Sequence, residues 1–273
     1  MNPLVEALAL LTPFDIDRRK VRIGPETDGG YVFVDHIDPS QTILSYGISF
    51  EYRFDAEMAA RGHRVYMFDH TIDGINATHP NMLYYKEGVA GVSSPEQCLY
   101  SIEDHLARFG IEGDRLILKM DVEGAEWDAI GMTPDTVLAR FEQIVIEVHG
   151  VNAITDTGYR EKFCFFFRKL NRLFTLFHVH ANNCDGPNGL TIVSGIPVSP
   201  LLELSYVRNN VCNKFPSRTL YPTALDFPNV GAKDKLLWFF PFLPTFCSVD
   251  DFALCEERAE LQERLRLSSA GRL

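Results

Sequence analysis

Four acidic or imidazole residues stand where apolar runs break off. Asp69 follows Arg64–Phe68, Asp121 follows Arg115–Met120, and Glu147 and His149 close Gln143–Val148. Thr175–His180 likewise ends on a histidine, followed by Asn182 and Asn183, and Thr42–Tyr46 breaks at Gly47-Ile48-Ser49. Buried strands need turn residues at their ends, but not carboxylates and imidazoles in such number. A carboxylate at the tip of a second strand can accept hydrogen bonds from both hydroxyls of a ribose. Asp69 follows Gly47 by about 20 residues, the separation that geometry asks for. An imidazole titrates near neutral pH, so His149 can take the proton of a hydroxyl as that oxygen attacks.

Such residues act together only if the strands that carry them lie side by side. Leu4, Leu8 and Leu11 share one face, predicting a short helix within residues 1–20. A short strand, Tyr31–Val34, follows the turn Asp28-Gly29-Gly30. From residue 42 strands and helices alternate, the pattern of a parallel sheet covered on both faces. Strands are predicted at Thr42–Tyr46, Arg64–Phe68, Leu83–Tyr85 or Gly88–Ala90, Arg115–Met120, Gln143–Val148, Thr175–His180 and Leu201–Val207. Helices are predicted at Tyr52–Arg61 (closed by Gly62), at Ser94–Arg108, around Trp127 and Ile130, and at Arg160–Leu173. The last two strands form a hairpin-like finish that gives the sheet an antiparallel edge strand. The expectation is an α/β fold in one domain over residues 1–273. Residues 1–40 supply a helix and cover segment, 41–210 the core, and 211–273 a C-terminal extension.

In such sheets ligands bind beyond the carboxyl ends of the strands. The turn SYGIS lacks the GxGxxG cradle of a pyrophosphate, so a nucleoside without phosphates fits better than a dinucleotide. Adenosylmethionine is such a ligand, and Tyr46, Gly47, Ser49, Asp69, His70 and Asp121 are its predicted contacts. Tyr31, after the flexible glycines, is placed to cover its mouth. The sharpest motif is LILKMDVEGAEW at 116–127, a strand leading through Asp121 and Glu123 into a helix. With VIEVHG at 145–150 it resembles the FkbM-type family of adenosylmethionine-dependent methyltransferases. RIGPETDGGYV at 22–32 and TALDFPN at 223–229 resemble a branch of methyltransferase-like proteins. Many members of the family carry a GxNxG-like first motif, where this chain has YGISFEY. The resemblance implies a Rossmann-like methyltransferase fold, S-adenosyl-L-methionine as methyl donor, and O-methylation of a sugar or natural-product hydroxyl.

Within that frame His149 is the predicted general base, with Glu147 on the same strand face to orient it and Asp121 bordering cofactor and acceptor. His180 is the reserve base, with Asn182 and Asn183 as polar partners for substrate hydroxyls. Glu126 reads as charge favourable to a helix N-terminus rather than as a catalytic group. Asp121, Glu147, His149 and His180 also offer oxygen and nitrogen ligands for a divalent metal, an alternative ranked below a metal-free base. A second reading is a non-catalytic adenosylmethionine-binding regulatory module on the same fold.

Composition narrows the partners. The net charge is −11, and no Lys/Arg run exceeds Arg18-Arg19-Lys20, which argues against nucleic acid. The small-molecule or glycan acceptor remains. No apolar run reaches the length of a membrane span. The aromatic segment 236–247, interrupted by Pro241 and Pro244, reads as a core cover or, less favourably, a homodimer or membrane-surface contact. None of the six cysteines has CxxC spacing, and no signal-type leader is evident, so reduced thiols and a cytoplasmic protein are expected.

Overall fold

Seven apolar runs pair into one sheet: β1 (Ile43–Tyr46), β2 (Val65–Phe68), β3 (Met82–Tyr85), β4 (Leu116–Met120), β5 (Phe141–His149), β6 (Phe174–His180) and β7 (Leu201–Arg208). The computed structural model describes residues 2–76, 79–186, 189–231 and 233–244. The spatial order is β3-β2-β1-β4-β5-β7-β6. β1 to β5 run parallel, and β7 is antiparallel to both its neighbours. The strand order reverses between β1 and β4, the switch point where ligands of open α/β sheets bind. This is the Rossmann-like methyltransferase fold expected from the sequence. Its antiparallel strand lies one place in from the rim, between β5 and β6.

Strands buried on both faces read as unbroken apolar runs, and β1, β2 and β4 are buried at every position. On one face Tyr46, Phe68, Leu118, Met120 and Ile146 pack under α2 (Ile102–Arg108), α3 (Glu126–Met132) and α4 (Thr157–Leu173). On the other, Ile43, Met67, Ile117 and Val145 meet Phe54 and Met58 of α1 (Arg53–Ala60). Asp156 caps α4 by accepting from the Tyr159 N–H at 2.8 Å. The helix then buries Phe163, Phe166, Phe167 and Leu170 at helical spacing. Trp127 of α3 packs on those three phenylalanines, with ring centroids 4.8–6.0 Å apart. Truncating one such phenylalanine to alanine costs about 3–5 kcal/mol.

Three local expectations change. The first helix covers only Pro3–Leu8 and a further turn to Leu11, because Pro13 has no N–H to continue it. Phe14–Ile16 then pairs with Lys214–Pro216. Both candidates for the third strand form: Met82–Tyr85 joins the main sheet and Gly88–Val89 pairs with Leu99–Tyr100. That small ribbon, and the left-handed Cys98 at φ +55°, stop a helix from starting at Ser94. Ser101 caps α2 instead, accepting from the Asp104 N–H at 3.1 Å.

After Lys214–Pro216 the chain folds back over β6 and β7. Tyr221 donates to the Phe177 carbonyl at 3.3 Å, and Asp226 meets His178 at 2.7 Å. Within the aromatic segment Leu237 and Phe242 are buried, whereas Leu236, Trp238 and Leu243 are exposed. Its end, with Cys247, Cys255 and the rest of the predicted extension, lies outside the described residues. Cys98, Cys164, Cys184 and Cys212 are free thiols. No helix among the described residues is long and apolar enough to cross a membrane.

Candidate active site

Register explains which side chains meet. Tyr46, Phe68, Met120 and Ile146 form one row across β1, β2, β4 and β5, and all four belong to the core under the helices. The residues that follow them are Gly47, Asp69, Asp121 and Glu147, and alternation turns this next row the other way. Tyr46, predicted at the cofactor, therefore turns its ring into the core. It stacks on Phe68 at 5.1 Å, and its hydroxyl lies 3.1 Å from His105 Nδ1. The other predicted cofactor residues, Tyr31, Gly47, Ser49, Asp69, His70 and Asp121, all line one cavity of about 500 Å³. That volume is typical of a small-molecule site.

Gly47 is required where it stands. Its φ is +75°, and a Cβ there would collide with the Asp121 carbonyl. Asp69 fixes the turn that follows. Its Oδ2 accepts from the Ile48 and Ser49 N–H groups at 2.9 and 2.8 Å, and its Oδ1 from the Thr71 N–H and hydroxyl at 2.8 and 2.6 Å. Burial opposes its ionisation, but these donors, led by Ser49, hold its carboxyl below the usual range. All four acceptor positions of the carboxylate are thus engaged within the protein. Lys119 is buried and binds the Tyr46 and Gly47 carbonyls, pinning the same turn from below.

His149 stands at the end of β5 among carboxylates. Its Nδ1 lies 3.2 Å from Glu126 Oε1, which also accepts the His149 backbone N–H at 2.9 Å. Trp127 and Tyr159 donate to its carbonyl at 3.1 and 3.3 Å. Its Nε2 lies 3.3 Å from Glu123 and 3.8 Å from both Asp121 and Glu147. Burial alone would lower the imidazole pKa; the Glu126 hydrogen bond and charge, with Asp121 and Glu123, raise it. Asp121 is pushed up by burial, and Lys119 and His149 only partly offset that. Glu147 rises well above the carboxylate range through burial, then repulsion from Asp121 and Glu203. Asn182 donates to it at 3.0 Å, an amide predicted for substrate and found serving the protein.

His180, the reserve base, has no free nitrogen. Its Nδ1 lies 2.8 Å from Glu203 and its Nε2 2.9 Å from Asp234. Burial disfavours its charge, but these carboxylates outweigh that and hold it protonated well above the usual pKa. It belongs to a buried framework. Asn229 bridges Glu203 and Asp28 at 2.6 and 2.8 Å, so the TALDFPN segment ties β7 to the N-terminal DGGY turn. Asn183 Nδ2 donates to the Val230 and Lys233 carbonyls of that same covering segment at 3.4 and 3.2 Å.

Sequence reasoning missed Glu126 as the holder of His149 and Thr71 as a partner of Asp69. Glu126 gave no local signal: it stands in the first turn of a helix, where acids are ordinarily exposed, and the fold buries it completely. Thr71 is simply two residues past Asp69, the spacing of a local side-chain turn.

No family model matches the chain, and no curated protein does. Similarity to solved structures is found. A protein described as a predicted O-methyltransferase from Agrobacterium tumefaciens shares 9% identity over 75% of this chain and 81% of its own, at a TM-score of 0.37. The fibrillarin/Nop5p complex shares 9% over 63% of this chain and 74% of that one, at 0.35. A 16S rRNA (adenine(1408)-N(1))-methyltransferase from Catenulisporales acidiphilia shares 11% over 68% of this chain and 95% of its own, at 0.29. With similarity this distant, the fold assignment rests on the order and direction of the seven strands themselves.

Proposed function

We propose that this protein transfers a methyl group from S-adenosylmethionine to a hydroxyl, on a sugar or glycan, as FkbM-type methyltransferases do. The observation that carries the reading is that Asp69 and Asp121 line one cavity, with His149 3.8 Å from Asp121. The cavity suits the cofactor. Glycine backbone borders it, Asp28, Asp69, Asp121 and Glu123 line it, and the turn after β1 has no phosphate cradle. Gly47 and Ser49 would face the methionine part and Asp69 the ribose. A ribose diol would take over the place of the Thr71 hydroxyl on Asp69.

Adenosylmethionine supplies an activated methyl on a sulfonium, so alignment of the acceptor oxygen provides much of the acceleration. As the oxygen–carbon bond forms, the carbon–sulfur bond breaks and adenosylhomocysteine departs. The acceptor proton passes to His149 Nε2, whose ring Glu126 holds in place. Calorimetry with adenosylmethionine and with NAD, followed by labelled-methyl transfer to a panel of sugars, tests this. Affinity for adenosylmethionine with transfer to a hydroxyl is expected. Absence of that affinity rejects the reading, and binding without transfer across the panel favours the regulatory module.

A further inference from the structure

We propose that Phe50 is the platform on which a sugar ring lies as it enters the cavity; this rests on the reading of the cavity's second occupant as a sugar. Phe50 is 89% exposed, the most open large apolar side chain among the described residues, and it lines the cavity. Ile48, Phe68 and Val89 on the same wall are buried. A single exposed apolar residue is ordinary on a protein surface. One held at the mouth of a small-molecule cavity is apolar area for the cavity's contents to cover.

The turn that carries Phe50 is fixed on both sides. Before it, the Ile48 and Ser49 N–H groups donate to Asp69, and Ser49 takes a left-handed φ of +49°. After it, the Glu51 N–H donates to the Ile48 carbonyl at 3.2 Å. The Glu51 carboxylate accepts from the Arg53 N–H at 3.0 Å and from its Nε at 2.8 Å, and Arg53 Nη2 donates to Thr27 Oγ1 at 3.1 Å. The turn is thus clamped between the end of β1 and the segment that leads into Asp28. A ring presented from a fixed backbone loses little freedom when a ligand settles on it.

Position and chemistry name the ligand class. Tyr31 and Asp69 are buried in the cavity wall, whereas Phe50 stands at the rim with the exposed Asp28 and Glu123. With the cofactor seated on Asp69, the rim is left to the acceptor. A pyranose offers a face of C–H groups and an edge of hydroxyls. The C–H hydrogens carry partial positive charge and are attracted to the negative face of an aromatic ring. The hydroxyls can donate to the Asp28 and Glu123 carboxylates on the same rim.

Sugar binding is read without methyl transfer, so this inference and the proposed activity fail separately. Saturation-transfer NMR with irradiation of aromatic protons is run on the full-length protein with adenosylhomocysteine, against a panel of methyl hexopyranosides. Saturation of the ring C–H protons of at least one pyranoside is expected. Its Kd should weaken about tenfold in Phe50→Ala, recover in Phe50→Tyr, and stay unchanged in Phe165→Ala, at an exposed position of α4. The calorimetric Kd for adenosylhomocysteine should be the same in Phe50→Ala as in the parent protein. No saturation of any pyranoside, an unchanged pyranoside Kd in Phe50→Ala, or weaker adenosylhomocysteine binding in that variant overturns the proposal. Phe50-dependent sugar binding in a protein that transfers no methyl group supports the platform and rejects the activity.

Discussion

Glu126 Oε1 meets His149 twice, at its backbone N–H (2.9 Å) and at its ring Nδ1 (3.2 Å). Both oxygens of Glu126 accept backbone N–H groups, which sets Nδ1 as the donor to Oε1 and leaves Nε2 for chemistry. Glu126 Oε2 accepts the Gly124 N–H at 2.8 Å, which ties the loop after β4 to the end of β5. Glu126→Gln keeps a carbonyl for the backbone but removes the charge that fixes the ring. Turnover should fall about tenfold with cofactor affinity unchanged. Steady-state kcat beside a calorimetric Kd separates this from a general loss of structure, which would lower both.

His149→Ala removes the proton acceptor itself while leaving the Asp69 turn untouched. Turnover should fall about 10²-fold or more, the scale of general-base loss. Adenosylmethionine affinity should stay within about twofold, since none of the Asp69 donors changes. Unaltered turnover would take His149 out of the reaction.

Much of this arrangement could be read from the chain. Apolar runs ending on Asp69, Asp121 and His149 are local signals, and parallel pairing alone is enough to align their ends. What escaped depends on partners far along the chain. Tyr46, a predicted cofactor contact beside Gly47, turns its ring into the core by strand parity. His180 looked like a spare base until Glu203 and Asp234 occupied both its nitrogens. Those contacts arise from register across β6 and β7 and from a returning segment, neither of which periodicity encodes. Glu126 passed for surface charge because helix-start acids usually are, and only tertiary packing buries it.

The Asp69 carboxylate separates two ways of binding a ribose. If the diol replaces the Thr71 hydroxyl, Thr71→Val should leave cofactor affinity unchanged or higher. Asp69→Ala should abolish measurable binding and also lower the melting temperature, because Ile48 and Ser49 lose their acceptor at a cost of about 1–3 kcal/mol each. Calorimetry and thermal melts on both variants check this. Loss of affinity in Thr71→Val would mean that the hydroxyl itself holds the ligand.

His180 predicts an alkaline weakness. Burial opposes its charge, but Glu203 and Asp234 outweigh it and raise its folded pKa well above the ordinary imidazole value of 6.5. A raised pKa means that the folded state binds the proton more tightly than the unfolded one. The stabilisation is complete below 6.5 and drains away as pH climbs toward the folded value. Urea melts from neutral into alkaline pH should show this decline. His180→Gln should be less stable at neutral pH and show a flatter decline. An equal slope in both proteins would remove His180 as its source.

Asp55 predicts the opposite kind of linkage at acid pH. It lies on the inner face of α1 with Oδ1 unpaired, and burial raises its pKa from 3.8 to about 6. Between those values the unfolded chain has released a proton that the folded chain still holds. Stability conferred by this group therefore falls as pH rises from 3.8 to about 6, then stays level. The deficit at neutral pH is about 2–3 kcal/mol. Asp55→Asn keeps the shape and cannot ionise, so it should be the more stable protein at pH 7 by an amount of that order. The gain should vanish near pH 4. Denaturant melts of both proteins at the two pH values decide it, and a gain that does not change with pH would assign the effect to packing instead of to the buried charge.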